Sequence, residues 1–492
     1  MFKSIRNYLW IGLTLTSLFF YPLVSSLSDG LYYMQWQTYN TYELLVCLLI
    51  GMVMFASTLI LIENVSNKTF SSMLIMILSV IPVSSFIIHL CRQLGFTSSL
   101  SQFSKLQVAG QSVLFLTLML VIIISIVMLF LFKELIGKVI LSIILIISPV
   151  TVVVAMTLVQ HGFKNTLIDI PVNDIKGTLN PEESLPNIYV ILFDELDYEF
   201  LYEKEEIKPE YSNFLAFSNT STNYHSATAP GESTLSSMSG LLLEERGKTI
   251  VVCHDSLCER KAKNEKKRVD FSENNIFKKA KLLGYKTAMY GWMHEYCQQY
   301  AEYLDSCRSY SLYNFATINN KFSLLNPVWT NIILWPHQFP FGIFKVPVYS
   351  NHQRLMVEKT LDNVVNIINN NQPLLMIAHF SLPHIPFVFD SNGFNPAADP
   401  FLQNRENYIK QLAYTDHVFG EVIDKLKNMG KYENSIIMVS SDHGYRIFLK
   451  RENWNKVPLL IHFGENNKTN DIYTTTMTEK TLFDLFDVRS GY

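Results

Sequence analysis

Apolar residues are spread unevenly along this chain. Long and nearly uncharged apolar runs dominate residues 1–160, whereas shorter apolar runs alternate with amphipathic stretches from about residue 187 onward. A helix needs about 20 apolar residues to cross the ~30 Å hydrocarbon core of a bilayer. The pattern therefore predicts five membrane-spanning helices, at residues 8–27, 43–63, 71–91, 109–132 and 138–159.

Basic residues at the ends of these segments predict their orientation. With the N-terminus inside, five Lys or Arg residues flank the cytoplasmic side and two lie in the outer loops. Because cytoplasmic loops carry the excess of Lys and Arg, this distribution favours an N-in topology. A transmembrane domain at residues 1–160 is then followed by a linker at 161–186, and residues 187–492 lie outside the cytoplasm.

Residues 187–492 have the pattern of an α/β domain. Continuously apolar runs predict strands at residues 187–195, 286–292, 374–382, 435–444 and 456–463. Amphipathic stretches predict helices at residues 274–284, 357–370 and 405–430. Apolar strands separated by helices indicate a mostly parallel sheet that is covered on both faces. In such sheets, functional residues collect at the carboxyl ends of the strands.

The net charge of −3 excludes one class of partner. Nucleic-acid binding requires a basic surface to neutralise phosphates, so we expect no nucleic-acid partner. The only dense basic run, at residues 258–268, is typical of a solvated face. Contact with anionic lipid headgroups is the alternative interpretation of that run.

Cysteines agree with an oxidising compartment. Four of the six lie in the outer half of the chain: Cys253, Cys258, Cys297 and Cys307. An even number there indicates disulfides, and the local pairs 253–258 and 297–307 are the simplest connectivity. A metal cluster with His254 and His294 is the alternative, but the cysteine spacings do not match a zinc ribbon.

Two predicted strands end in residues suited to metal binding. The first runs into Asp194 and Glu195, and the fourth runs into Asp442 and His443. Carboxylates and imidazoles together suit a divalent metal with mixed oxygen and nitrogen ligands. A helix cap and a turn are the structural alternatives. Asp416, inside a predicted amphipathic helix, is interpreted as structural.

A hydroxyl-rich stretch lies between these strands. Residues 231–240 contain one Thr and four Ser. A hydroxyl is a poor nucleophile at neutral pH unless its proton is withdrawn, and coordination to a metal achieves this. The stretch is therefore a candidate source of a nucleophile, with a helix-capping loop as the alternative.

At these residues the sequence resembles the alkaline phosphatase/sulfatase superfamily. It looks most like the membrane-anchored branch that contains lipid A phosphoethanolamine transferases and lipoteichoic acid synthases. The matching segments follow the family's order: NIYVILFDELD, STLSSMSGLLLE, NIFKKAKLLGYKTAMYGW, HFSLPHIPF, YIKQLAYTDHVFGEVIDKLK, SIIMVSSDHG and KVPLLIHFG.

The resemblance implies specific roles for these residues. The family's nucleophile position falls on Thr234, with Ser233 as its nearest rival. The implied metal ligands are Asp194, Thr234, Asp442 and His443, the metal being zinc or, alternatively, manganese. Glu195 competes with Asp194 as the first ligand.

Three further histidines lie in the matching segments. His384 matches a family histidine that lies near the phosphate. His462 follows a buried-looking strand and is an additional site candidate. His379 lies within a strand and is interpreted as a core or supporting residue.

The resemblance also implies an activity. The chain lacks the Cys/Ser-x-Pro-x-Arg signature that sulfatases convert to formylglycine, which argues against sulfate-ester hydrolysis. We expect an inner-membrane transferase with a periplasmic catalytic domain. It would move phosphoethanolamine or phosphoglycerol from a membrane phospholipid to an envelope lipid or glycan, such as lipopolysaccharide, through a phospho-threonine. A membrane-tethered phosphatase, phosphodiesterase or sulfuric-ester hydrolase is the first alternative, and an inactive sulfatase-like lipid sensor is the second.

Overall fold

In the computed structural model, the chain divides into two compact units. The described residues are 5–26, 41–65, 150–161, 185–253, 256–262, 265–310, 347–370, 372–398, 404–446, 455–464 and 470–486, with isolated positions at 78–79, 82–83, 86, 142, 144, 146–149 and 402.

The N-terminal unit is helical. Its described helices are α1 (Ile5–Ser26), α2 (Thr41–Val65) and α3 (Val150–His161). Small residues let α1 and α2 approach closely: a Cβ atom at Gly51 would lie 2.5 Å from Thr16 Cγ2, and one at Gly12 would lie 2.6 Å from the Met52 carbonyl oxygen. The three helices share a buried apolar cluster that includes Phe20, Leu44 and Val154.

The predicted membrane spans are covered only in part by the described residues. One described stretch, Leu44–Ile62 in α2, is long and apolar enough to cross a membrane, although a buried helix of a soluble protein can have the same composition. α1 and α3 overlap the predicted spans 8–27 and 138–159. Span 109–132, most of span 71–91 and most of the linker 161–186 lie outside the described residues. The five-span topology therefore stays a prediction.

The second unit alternates short strands and helices. Its strands are β1 (Asn187–Phe193), β2 (Tyr202–Glu203), β3 (Glu206–Ile207), β4 (Thr222–Asn223), β5 (Ala227–Thr228), β6 (Ile250–Cys253), β7 (Ser256–Ala262), β8 (Glu265–Arg268), β9 (Lys286–Trp292), β10 (Ser306–Tyr310), β11 (Leu374–Phe380), β12 (Phe389–Asp390), β13 (Gly393–Phe394), β14 (Ser435–Ser441), β15 (Leu459–His462) and β16 (Thr476–Met477). Its helices are α4 (Tyr198–Leu201), α5 (Ser212–Ser218), α6 (Thr234–Leu243), α7 (Ile276–Leu282), α8 (Tyr296–Gln299), α9 (Pro347–Ile367), α10 (Arg405–Asn428) and α11 (Thr478–Asp484).

A seven-stranded sheet forms the centre of this unit, in the order β10-β9-β11-β1-β14-β15-β4. Strands β10, β9, β11, β1 and β14 are mutually parallel, which confirms the predicted mostly parallel sheet. β15 is antiparallel to β14, and β4 is antiparallel to β15. The predicted strand at 456–463 therefore runs against its neighbour β14.

The central strands are apolar throughout because helices cover both faces of the sheet. Along β1, Tyr189, Ile191 and Phe193 pack into one buried cluster with residues of α9 and α10. The alternate residues Ile188, Val190 and Leu192 pack into a second cluster with residues of α6, α7 and α11. Any polar side chain at the end of these strands is therefore held in a rigid and largely dry environment.

The four outer cysteines form the two local disulfides, Cys253–Cys258 and Cys297–Cys307. The first joins β6 to β7, and the second joins α8 to β10. Their sulfurs are consequently not available to the alternative metal cluster, whose His254 lies outside the described residues. The described residues of the basic run, 258–262 and 265–268, lie in β7 and β8, and β8 is fully exposed, as expected of a solvated face.

Candidate active site

Two neighbouring parallel strands place two aspartates side by side. In the β1–β14 pair, Phe193 is in register with Ser441, so the next residues, Asp194 and Asp442, follow at the same edge of the sheet. Both are fully buried. The backbone N–H groups of Glu195 and His443 donate to Asp442 Oδ1 at 3.1 and 2.8 Å. These bonds orient the Asp442 carboxylate.

Each of these aspartates leaves one oxygen without a donor. Asp194 Oδ1 and Asp442 Oδ2 have no hydrogen-bond partner in the part of the chain that the structure describes. Burial raises the pKa of Asp194 well above its ordinary value, and repulsion from Asp442 and Glu195 raises it further. Burial also raises the pKa of Asp442. Unpaired buried carboxylates are costly, and a bound cation would offset this cost, so the geometry suits a cation.

His379 contributes a third donor atom to this cluster. It lies on β11 opposite Leu192 of β1, and its Nε2 is 3.9 Å from Asp194 Oδ2. One ligand atom each from Asp194, His379 and Asp442 can be chosen so that all lie within 4.8 Å of one another. Burial lowers the pKa of His379 to about 3, which keeps the imidazole in the neutral form that binds metals. The Tyr296 hydroxyl lies 3.0 Å from its Nδ1 and orients the ring.

The Thr234 hydroxyl faces the same cluster. Thr234 is the first residue of α6, and its Oγ1 donates to Asp194 Oδ2 at 3.4 Å. The same Oγ1 is 3.2 Å from His443 Nε2. Ser237, one turn further along α6, donates its hydroxyl to the carbonyl oxygen of Asp442. This bond fixes the start of the helix to the end of β14.

Ser233 caps the helix start. It is the N-cap of α6, and its Oγ accepts from the Ser236 N–H at 3.4 Å. Such a bond satisfies one of the free N–H groups at a helix start. Gly231 allows the preceding loop to pack tightly on this turn, since a Cβ atom there would lie 2.7 Å from Ser237 N.

His443 has a defined tautomer. Its Nδ1 lies 3.0 Å from the Gly444 carbonyl oxygen, which can only accept, so Nδ1 carries the hydrogen. Nε2 then presents its lone pair toward Thr234 Oγ1 and Arg446 Nη2, the latter at 3.3 Å. Burial, assisted by the Arg446 charge, lowers the pKa of His443 to about 4. The ring is thus a neutral acceptor or metal ligand.

His294 contacts the backbone at the start of α6. Its Nε2 lies 3.1 Å from the Thr234 carbonyl oxygen, and its ring stacks on Tyr296 at 5.1 Å. Burial lowers the pKa of His294 to about 4. His294 therefore holds the start of α6 as a neutral hydrogen-bond donor.

Other predicted site residues lie at varying distances from the cluster. Glu195 is buried next to it with a positive φ of 63°, and its charge raises the pKa of Asp194, but it is not among the three converging donors. His384 is half-buried and its ring lies 5.0 Å from that of Trp292, which itself lies 6.3 Å from His379. Its proposed phosphate contact stays a prediction.

The structure does not bring His462 to the cluster. Because β15 is antiparallel to β14, its last residue lies opposite Ile437, toward the amino end of β14. His462 instead stacks on Tyr432 at 4.3 Å, and its Nδ1 is 3.0 Å from the Thr220 carbonyl oxygen. His462 was a site candidate because it ends an apolar strand, but the antiparallel direction of β15 sets it away from the strand-end carboxylates.

The cluster suits the metal that the resemblance implies. Two orphaned carboxylate oxygens and an orphaned neutral imidazole nitrogen converge in a dry environment. Zinc accepts such a mixed oxygen and nitrogen set, and so does manganese, so the donors do not select between them. Asp194, Asp442 and His379 would hold the ion, with His443 and Thr234 beside it.

Comparison with known proteins identifies the family. A sequence model of the family Sulfatase matches residues 186–488. The uncharacterized sulfatase YdeN of Escherichia coli (strain K12) is 23% identical over 113 residues, which are 20% of this chain and 19% of that protein. The chain thus matches about a fifth of the length of this curated relative.

Solved structures include similar chains at low identity. A 2-O GAG sulfatase is 13% identical with a TM-score of 0.42, covering 62% of this chain and 70% of that one. A protein in the alkaline phosphatase superfamily from Vibrio parahaemolyticus is 12% identical with a TM-score of 0.40, covering 64% and 72%. Since the family model matches more than half of the residues of this chain, the chain belongs to the sulfatase family.

Proposed function

We propose that this sulfatase-family enzyme is a metal-dependent phosphotransferase with Thr234 as its nucleophile. It takes phosphoethanolamine or phosphoglycerol from a membrane phospholipid and passes it to a hydroxyl of an envelope lipid or glycan. The observation that carries the proposal is the Thr234 hydroxyl, which lies 3.4 Å from Asp194 Oδ2 and 3.2 Å from His443 Nε2 beside a cluster that suits a cation. A threonine also cannot become the formylglycine of sulfate-ester hydrolysis.

The reaction has two steps, the formation of a phospho-threonine and its transfer to the acceptor. In the first, Thr234 Oγ1 bonds to the phosphorus of the phospholipid while the bond between phosphorus and the diacylglycerol oxygen breaks. The Thr234 proton moves to Asp194 or His443 and is passed from there to the diacylglycerol oxygen as this group leaves. In the second, the oxygen of an acceptor hydroxyl bonds to phosphorus while the bond between phosphorus and Thr234 Oγ1 breaks, and the acceptor's proton passes through Asp194 or His443 to Oγ1.

The surroundings supply what phosphoryl transfer requires. A divalent cation held by Asp194, His379 and Asp442 would lower the pKa of the attacking hydroxyl and neutralise phosphate charge. The chain itself positions the hydroxyl through two hydrogen bonds that hold α6: Ser237 donates to the Asp442 carbonyl oxygen, and His294 donates to the Thr234 carbonyl oxygen. Positioning and charge neutralisation are the main sources of catalysis in phosphoryl transfer.

A membrane setting supports a phospholipid donor. The stretch Leu44–Ile62 has the length and composition of a membrane span. Donor and diacylglycerol would both remain in the bilayer, next to an enzyme anchored there. Two disulfides agree with a catalytic domain on the periplasmic side of an inner membrane.

The test uses the full chain in vesicles that contain a headgroup-labelled phospholipid and a lipid acceptor. Thr234→Ala should abolish headgroup transfer. Ser233→Ala should retain it and lose about 1 kcal/mol of stability, because it removes only the helix cap. Full activity of Thr234→Ala would refute the nucleophile assignment.

The same assay separates the alternatives. Release of free headgroup without modified acceptor identifies a phosphodiesterase that shares the phospho-threonine step. A wild-type chain that binds no divalent metal and turns over no phospholipid would instead indicate an inactive sulfatase-like sensor.

A further inference from the structure

A cleft of about 380 Å³ opens beside the first turn of α6. The loop at residues 229–233 forms one wall and residues 246–250 form another, with Arg446 and Asn455 also lining it. Ser233, the residue before the proposed nucleophile, is part of the lining. A substrate group in this cleft would therefore be adjacent to the proposed reacting centre.

Three cations line the cleft, and two of them are neutralised by carboxylates. Arg246 binds both side-chain oxygens of Glu479, at 2.5 and 2.8 Å. Lys248 Nζ lies 2.5 Å from Glu245 Oε1. These pairs build the wall and leave little charge for a ligand.

Arg446 is the exception. Within the described ranges it forms no ion pair with a carboxylate; its Nη1 donates to the Glu232 carbonyl oxygen at 2.5 Å. Its Nη2 lies 3.3 Å from His443 Nε2, the same nitrogen that lies 3.2 Å from Thr234 Oγ1. The guanidinium thus stands at the junction between the cleft and the proposed nucleophile, with its charge available to an anion.

Glu232 provides the complementary charge. Its side chain is exposed and lines the cleft, and no ion pair involves it in the part of the chain that the structure describes. It lies two residues before Thr234, and its own carbonyl oxygen holds Arg446. Among the described residues, Glu232 and Arg446 are thus an anion and a cation that line the same cleft without a side-chain ion pair. The hydrogen bond from Arg446 to the Glu232 carbonyl oxygen links the two residues.

We propose that this cleft selects a zwitterionic phosphoethanolamine headgroup. The phosphate lies between Arg446 and Thr234, where a guanidinium suits phosphate oxygens. The ammonium group pairs with the Glu232 carboxylate. The inference rests on the proposed phosphotransfer and narrows it, because a phosphoglycerol headgroup has no positive charge to place against Glu232.

The test is a competition between donors. The full chain is reconstituted in vesicles that contain equal amounts of phosphatidylethanolamine and phosphatidylglycerol with distinguishable headgroup labels, and the ratio of the two consumption rates is measured. We expect wild type to favour phosphatidylethanolamine. Glu232→Gln should lower that ratio by about tenfold, the effect of losing one charge-assisted hydrogen bond. Glu273→Gln, an exposed glutamate outside the cleft lining, is the matched control and should leave the ratio unchanged.

Arg446 is tested in the same mixture. Arg446→Ala should slow the consumption of both lipids together, because both carry the phosphate, and should leave their ratio within about twofold of wild type. An unchanged ratio in Glu232→Gln, or a wild-type preference for phosphatidylglycerol, overturns the headgroup inference while the phosphotransferase proposal stands. Consumption of neither lipid by wild type overturns both.

Discussion

Four of the described aspartates are buried, and they fall into two contrasting pairs. Asp197 and Asp416 each bind the start of a helix, and both carboxylate oxygens of each accept from backbone N–H groups. Asp197 accepts from Glu199 N and Phe200 N at the start of α4, and from Tyr445 N. Backbone N–H groups of the fold therefore satisfy both carboxylate oxygens of Asp197.

Asp416 behaves in the same way from a different element. Although it lies within α10, its carboxylate accepts from Asn213 N, Asn213 Nδ2 and Phe214 N at the start of α5. Asp194 and Asp442, in contrast, each keep one oxygen without a donor among the described residues. Four buried aspartates therefore separate into a structural pair and a pair that keeps free oxygens for a cation. The number of donors, rather than burial, makes the difference.

The largest expected effect comes from removing a charge of the strand-end pair. Asp442→Asn or Asp194→Asn should abolish metal binding and lower phosphotransfer on the order of a thousandfold or more. The metal-free variant should nevertheless unfold at a higher temperature than metal-free wild type, because one uncompensated buried charge is gone. Elemental analysis and thermal unfolding after chelation check both parts. A lower unfolding temperature of metal-free Asp442→Asn would place Asp442 with the structural pair.

A smaller effect separates two buried histidines of the same sheet. His379→Gln should weaken metal affinity at least 10–100-fold, the range seen when groups that orient or complete a metal site are lost. His462→Gln should leave it unchanged, because β15 carries that residue to the other edge. Isothermal titration with zinc measures both variants. Equal losses of zinc affinity in the two variants would show that His379 does not bind metal through its position beside the strand-end carboxylates.

The structural pair should affect stability alone. Asp416→Asn places an amide against the N–H donors of Asn213 and Phe214, so we expect a loss of about 1–3 kcal/mol in unfolding free energy. Metal content and phosphotransfer should match wild type. Denaturant unfolding together with elemental analysis provides the check. A variant that is fully folded but has lost its metal would contradict the assignment of Asp416 to the structural pair.

The smallest effect concerns pH. The pKa of His294 is lowered to about 4 from 6.5 by burial, so the unfolded chain binds more protons between these values and stability falls as the pH drops through them. At pH 5.5 the loss from this residue is about 1–2 kcal/mol. His294→Gln keeps a donor for the Thr234 carbonyl oxygen and should flatten this part of the stability profile. Unfolding curves between pH 7.5 and 5 measure the slope, and an unchanged slope would show that His294 is not the group responsible.

The cluster was predictable from the sequence where it depends on strand ends. Asp194, Asp442 and His443 directly follow apolar runs, and parallel strands bring their carboxyl ends to one edge. His379 was not predictable as a site residue, because its role depends on β11 lying next to β1, and strand order is not encoded in the local pattern. The same limit explains His462, whose strand direction only the assembled sheet reveals.

Arg446 and Glu232 illustrate a second limit. Each is an ordinary charged residue in a loop, and their importance arises from the salt bridges that neutralise Arg246 and Lys248 in the same cleft. A sequence shows charges but not which of them are paired. The family resemblance, by contrast, singled out Thr234, and the structure places this residue at the start of α6.

The most direct test of the central claim is peptide mass spectrometry of the full chain after brief incubation with phospholipid, together with its metal content. The account predicts one equivalent of divalent metal and an adduct that contains phosphate on Thr234, absent after chelation and absent in Asp442→Asn. An adduct on Ser233, or a metal-independent adduct, would contradict it.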